Sequence, residues 1–335
     1  MLHAAKLSFM ACVFALVFAL AAPASQSQAA DVTLRFANFP PASTFPCVSM
    51  DHWVAEVEKL TQGKVKVDTF PAGTLVDARS MVRGVMRGQA DIGCISMAYF
   101  PGMFPLMSAF ELPLGFESAE KASVLLLQAI LKFQPKELEK LKVLTAYTCP
   151  PAQVFSRKPV ENLEAVKGLR LRAAGILADE VSLLGGTPVS MPQSEAPDAI
   201  QRGAVDGVFT SLDVVKDLNY AEPCRFGLLV NMSVYPFIVI MNRKSWDALP
   251  EDVKKVFDDL ALPTAQWTGA YVDAHGQDAL KWGKEKYGID YRPLPAEERA
   301  KALEIVSPLV SKWEADMKAR NLPAAEMLQF IRAGL

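Results

Sequence analysis

In "KVKVDTF" at residues 64–70, apolar and polar side chains alternate strictly, and a period of two predicts a half-buried strand. "VTLRFANF" at 32–39 reads as an earlier strand. Between the two, Trp53, Val54, Val57 and Leu60 recur at helical spacing over 50–61, and Gly63 supplies a stop. A helix around 77–87 leads into a short apolar strand, "ADIGCIS" at 90–96. Helix and strand go on alternating along the chain, which predicts an α/β fold with helices packed on sheets.

Two longer-range patterns add organisation. "GVMRGQADIGCIS" at 84–96 and "AIQRGAVDGVFTS" at 199–211 share a helix end, an Arg-Gly pair, an Asp three residues after the Gly, and an apolar strand. Gly88 and Gly203 suit the left-handed conformation that closes a helix, so the echo predicts two similar lobes. A strand near 142–148 running into Pro150-Pro151 is one candidate crossing between lobes. "RFGLLVNMSVYPFIVIMN" at 225–242, too long for an ordinary strand, is a second. Helical periodicity from about 250 to 287 contains Pro263, so this segment is either one long helix kinked at the proline or two helices.

The N-terminus carries Lys6, an apolar run from Phe9 to Ala22 too short to span a bilayer, and a small-residue tail reaching Ala29. Residues 1–29 thus have the form of a cleaved secretory signal. With a net charge of −2 over 335 residues and no Arg/Lys-rich segment, nothing points to nucleic acid. Cys47, Cys94, Cys149 and Cys224 follow the signal and never form a CxxC pair, so zinc-type spacing is absent and no metal is expected. Disulfides and buried thiols both remain open, with the apolar surroundings of Cys94 favouring thiols.

Catalytic signatures are missing. His52 and His275 lie far apart with no nucleophile motif beside either, and there is no GxSxG, HExxH, P-loop or GxGxxG after a strand. Neither an enzyme nor a cofactor is expected. A two-lobed exported α/β protein with hinge-like crossings suits a receptor that closes on a small molecule. Ligands of α/β sheets bind beyond the carboxyl ends of strands. The loops there supply Phe39, Phe45, Tyr99, Arg172, Phe209, Thr210 and Tyr235. The phenylalanines are more often core than ligand platform, whereas the tyrosines join an apolar body to a polar tip. Arg170 and Arg172 alternate in "KGLRLRAAG", which puts both on one strand face and leaves open which of them meets a ligand.

Six stretches carry a family resemblance: "VEKLTQGKVKVDTFPAGTL" (57–75), "MRGQADIG" (86–93), "FELPLGF" (110–116), "VKGLRLRAAG" (166–175), "LGGTPVSMPQSEAPDAIQRGAVDG" (184–207) and "NRKSWDALPEDVKK" (242–255). Jointly they resemble the DctP-type solute-binding proteins of tripartite ATP-independent periplasmic (TRAP) transporters. The resemblance implies a two-lobed, periplasmic-binding-protein-like α/β fold, type II-like, with the ligand cleft between the lobes and a long kinked helix spanning both. Lobe I would comprise 30–149 and 238–277, and lobe II 150–237 and 278–335.

The resemblance also implies a function. It describes a periplasmic receptor, expected as a monomer, that hands a small-molecule carboxylate to the small and large membrane subunits of an ion-gradient-driven TRAP permease. The family's carboxylate-pairing arginine falls on Arg172, while Arg170 matches a position without that role. Many members have an Asn where Thr210 stands, here preceded by Phe209. An added aromatic and a lost amide favour an acid with a larger apolar or aromatic body, such as an aromatic or branched 2-oxo acid. A sensing module feeding a receptor kinase and a periplasmic enzyme acting on a carboxylic acid are the other readings.

Overall fold

The computed structural model describes residues 31–335, and the expected signal at 1–29 lies outside the described residues. The chain opens with β1 (Val32–Ala37), α1 (Phe45–Leu60), β2 (Val65–Phe70), α2 (Met81–Met86), β3 (Ile92–Ser96), α3 (Ala119–Phe133) and β4 (Leu141–Thr148). It then crosses into β5 (Gln153–Ser156), β6 (Arg170–Ala173), α4 (Ile176–Leu183), β7 (Thr187–Ser190), α5 (Ala196–Gln201), β8 (Gly207–Thr210), α6 (Val214–Asp217) and β9 (Phe226–Leu229). It returns through β10 (Pro236–Asn242), α7 (Arg243–Asp247) and α8 (Glu251–Tyr287). It ends in β11 (Asp290–Pro293), α9 (Ala296–Val306), α10 (Pro308–Ala319) and α11 (Ala324–Gly334).

Two sheets result, ordered β2-β1-β3-β10-β4 and β11-β9-β5-β8-β6-β7. The long apolar run at 225–242 divides into β9 in the second sheet and β10 in the first, so it does pass from one lobe to the other. Strands entered through a crossing run against their neighbours: β10 is antiparallel to β3 and β4, and β5 to β8 and β9. The rest pair in parallel, as helical crossovers require.

The sequence echo has a structural counterpart. Gly88 and Gly203 both adopt positive φ, 75° and 69°, and close the helices before β3 and β8. Asp91 accepts from the Arg35 backbone amide and Nε at 2.9 and 3.0 Å. Asp206 accepts from the Arg170 amide, Nε and Nη2 at 2.9, 3.1 and 3.1 Å. Since β3 lies beside β1 and β8 beside β6, each Arg–Asp clasp ties a strand to its parallel neighbour.

Helix α8 is continuous over 37 residues with Pro263 inside it. The proline cannot donate to the carbonyl four residues back; close by, Thr145 Oγ1 donates to Ala261 O at 2.8 Å. At Gly269 the helix crosses α3 so tightly that a Cβ would stand 2.5 Å from Glu120 Cα. Asp273 there accepts the Ala119 and Glu120 amides at 2.9 and 3.0 Å, satisfying donors that the start of α3 leaves free. Farther on, Gly276 rests against Leu212 and Pro150, so the helix reaches both lobes. Within the segment expected to belong wholly to lobe II, α11 instead turns back onto α3: the rings of Phe330 and Phe133 meet at 5.9 Å, and Gly334 abuts Leu125. A buried apolar stripe of Ala324, Met327, Leu328 and Ile331 drives that docking.

Candidate functional site

Where the carboxyl ends of β3, β6 and β8 face one another across the lobes, a narrow cavity of about 40 Å³ opens. It lies beyond strand ends, where ligands of open α/β sheets bind. Phe39, Phe45, Tyr99, Arg172, Thr210 and Tyr235 all line it. Phe209 does not. Within β8 the side chains alternate, so once Thr210 faces the cavity its neighbour's ring goes into the core, fully buried. Phe209 contributes its carbonyl instead, accepting from Tyr235 Oη at 3.0 Å.

Among the lining residues not singled out from the sequence, three add to the site's chemistry. Phe237 at the start of β10 stacks parallel to Phe39 at 6.4 Å and edge-on to Phe45 at 5.2 Å, completing an aromatic wall. Gln193, placed by the turn after Pro192, donates its amide Nε2 to Thr210 Oγ1 at 3.3 Å. Cys149, at the first crossing, is a thiol pushed up to about 12 by burial and, next, by the Asp213 charge. All four cysteines of the described chain are buried and unbridged.

Arg172 is the dominant feature. Its side chain is 1 % exposed, yet no carboxylate among the described residues lies within ion-pair distance of it. Nε and Nη2 both donate to Met191 O, at 2.9 and 2.8 Å, and Nη2 also donates to Tyr99 Oη at 3.3 Å. The rings of Tyr99 and Tyr235 flank the guanidinium at 6.0 and 5.8 Å. The backbone carbonyl fixes the fork from behind, and the cavity side of a permanent cation is left without an anion. Taking such a charge out of water costs several kcal/mol unless a counter-charge returns it.

Tyr99 also binds the lobes together, since its hydroxyl accepts from the Gln193 amide at 2.9 Å as well as from Arg172. Glu111 does the same at the start of α4, where Oε2 accepts from Ile176 N at 2.8 Å. Burial pushes the Glu111 carboxyl up to about 7 despite that bond. On the next turn of α4, Glu180 bonds the Ser233 hydroxyl and is pushed up to about 8, again chiefly by burial. Groups whose folded-state pKa is raised add stability below their unfolded pKa, near 4, and withdraw it as pH climbs through the folded value. Asp206 acts oppositely, because Arg170 holds it well below the usual carboxylate range and its contribution fades only in strong acid. Thermal unfolding should therefore show a Tm at pH 5 that exceeds the Tm at pH 8 by about 5 °C or more. A flat profile over this window in calorimetry would mean that the buried carboxyls impose no such cost.

Comparison with known proteins gives a consistent answer. The DctP profile, described as bacterial extracellular solute-binding protein, family 7, matches residues 36–316. A TRAP periplasmic solute-binding protein from Desulfovibrio salexigens, solved as an open complex with the C-terminus of a symmetry mate in its ligand-binding site, is 48 % identical. That match covers 91 % of this chain and 96 % of the other, with a TM-score of 0.82. A TRAP solute-binding protein from Rhodoferax ferrireducens, in complex with copurified benzoate, is 25 % identical over 90 % and 97 % of the two chains, with a TM-score of 0.86. A marine-metagenome TRAP solute-binding protein specific for aromatic acid ligands, in complex with 3-hydroxybenzoate, is likewise 25 % identical over 91 % and 98 %, with a TM-score of 0.87.

Proposed function

This chain belongs to the DctP family, family 7 of the bacterial extracellular solute-binding proteins, and from that premise we propose that it captures an aromatic monocarboxylate in the periplasm. The receptor would then deliver it to the small and large membrane subunits of a TRAP permease. Its relatives are binding proteins rather than enzymes, and organic acids are what the TRAP receptors bind. Among the described residues no helix is long and apolar enough to cross a membrane.

The observation that carries the reading is Arg172, a buried cation with no counter-ion among the described residues, in a cavity walled by Phe39, Phe45, Phe237, Tyr99 and Tyr235. A carboxylate ligand would supply the missing charge through two parallel hydrogen bonds to the guanidinium. The rings would take the apolar body, and Thr210 with Gln193 would meet any further polar group. Benzoate and 3-hydroxybenzoate in the two 25 %-identical structures support an acid of that shape.

Native mass spectrometry of the purified protein, followed by a thermal-shift panel, tests this. The panel should hold benzoate, 3-hydroxybenzoate, aromatic and branched 2-oxo acids, succinate and a neutral sugar. Aromatic carboxylates at about a hundred times their Kd should stabilise by about 2.7 kcal/mol, a shift of several degrees. Stabilisation by the sugar and by none of the acids would sink the proposal.

A further inference from the structure

Behind the cavity wall, on the loop from β8 to α6, sits a carboxyl group that ligand anchoring does not use. Asp213 is fully buried, and neither of its side-chain oxygens has a well-formed hydrogen bond among the described residues. It occupies the N-cap position of α6 but accepts no capping hydrogen bond there. Its chain neighbours Ser211 and Val214 line the cavity, as does Cys149, whose thiol feels the Asp213 charge.

On the other side α8 closes over the loop, with Gly276 against Leu212 and the Asp213 amide. One residue earlier, His275 Nε2 meets Asp217 Oδ1 at 2.7 Å. The loop also faces the opposite lobe, where Ser43 Oγ donates to Asp217 O at 3.3 Å. The titratable and charged groups around Asp213 are therefore Asp217 and Lys216 on α6, His275 and Tyr271 on α8, and Cys149 at the crossing. Burial first, then the Asp217 charge, pushes Asp213 up to about 7, tempered by Ser211, its own amide and His275.

We propose that Asp213 is a proton-binding site coupled to ligand capture: when an anionic ligand enters the cavity, Asp213 takes up a proton from solvent, so that the anion binds more weakly as pH rises. The inference rests on the carboxylate reading of the cavity. Capture places an anion in the cavity whose wall, at Ser211, Val214 and Cys149, Asp213 lies behind, and a like charge nearby favours the protonated acid. By linkage, a proton taken up on binding makes affinity decline across the pH range in which Asp213 of the free protein ionises.

Calorimetry with benzoate tests this in two buffers of different ionisation enthalpy. At pH 7.5 the wild type should take up a substantial fraction of a proton per benzoate bound, and its affinity should fall about three- to tenfold from pH 6 to pH 9. Asp213→Asn should bind with no proton uptake and a flat pH profile. Should that variant not fold, His275→Gln serves: without the imidazole, whose charge favours the ionised Asp213, the wild-type midpoint should move to higher pH. Binding without proton uptake by the wild type, or equal uptake by Asp213→Asn, overturns the proposal and leaves the receptor reading standing. Loss of the whole pH dependence in His275→Gln also overturns it, by placing the proton on the histidine. No binding of benzoate or any other acid at any pH overturns the receptor reading first, and this one with it.

Discussion

Replacing Arg172 with alanine is expected to weaken binding of the receptor's acid by roughly thirty-fold to several-thousand-fold, the equivalent of about 2–5 kcal/mol. The magnitude follows from burial. The side chain is 1 % exposed and no carboxylate among the described residues lies within ion-pair distance of it, so a bound acid would supply its counter-charge. Arg172→Lys should recover only part of the loss. An ammonium cannot reproduce the two donations to Met191 O that hold the guanidinium plane and still present a fork to the ligand. Arg170→Ala provides the contrast. That side chain is 46 % exposed and paired with Asp206, which Lys158 also meets at 3.0 Å, so affinity should stay within about twofold of wild type. Titration calorimetry of the three variants with one acid decides the matter. Normal binding by Arg172→Ala alongside a loss in Arg170→Ala would reverse the assignment of roles.

Those two arginines show what a chain of letters carries and where it stops. Strand periodicity places them on one face, and it cannot separate them because their difference lies along the strand. Arg170, at the beginning of β6, meets the Asp206 of the repeated helix–Gly–Asp–strand unit, whereas Arg172 stands near the carboxyl end, where the cavity begins. The repeat itself was legible, since local backbone needs dictate a glycine and an aspartate at fixed offsets. Phe209 marks the reverse failure. A period of two already forbids adjacent residues of a regular strand from sharing a face, so Phe209 and Thr210 could not both line one wall. Gln193, Phe237 and the Tyr99–Arg172 contact were out of reach for another reason. Tyr99 stands 73 positions from Arg172 and 94 from Gln193, and Phe237 stands 198 from the Phe39 ring it stacks on; such pairings are set by tertiary packing rather than by local pattern. Glu111 was hidden within the apolar stretch "FELPLGF", and only its place opposite α4 shows why a carboxylate is buried there.

Gly175→Ala should destabilise the protein by about 3–5 kcal/mol, close to the largest cost a single substitution carries. Two causes act together. Gly175 adopts φ 58° and ψ −145°, a region essentially closed to residues with a side chain, and forcing alanine there costs about 1–3 kcal/mol. The added Cβ would also stand 1.9 Å from Glu111 Oε2 and 2.9 Å from Ala98 Cβ, so one of these must move. The carboxylate is the one able to yield, at the expense of its bond to Ile176 N, which joins the lobes four residues after Arg172. Urea unfolding at pH 7 measures the loss. Coupling to Glu111 makes the account specific: in a Glu111→Ala background the carboxylate clash is gone and only the backbone strain and the Ala98 contact remain, so the two changes should be less than additive. Full additivity would show that the glycine answers to backbone conformation alone, and that Glu111 does not require the space a Cβ would fill.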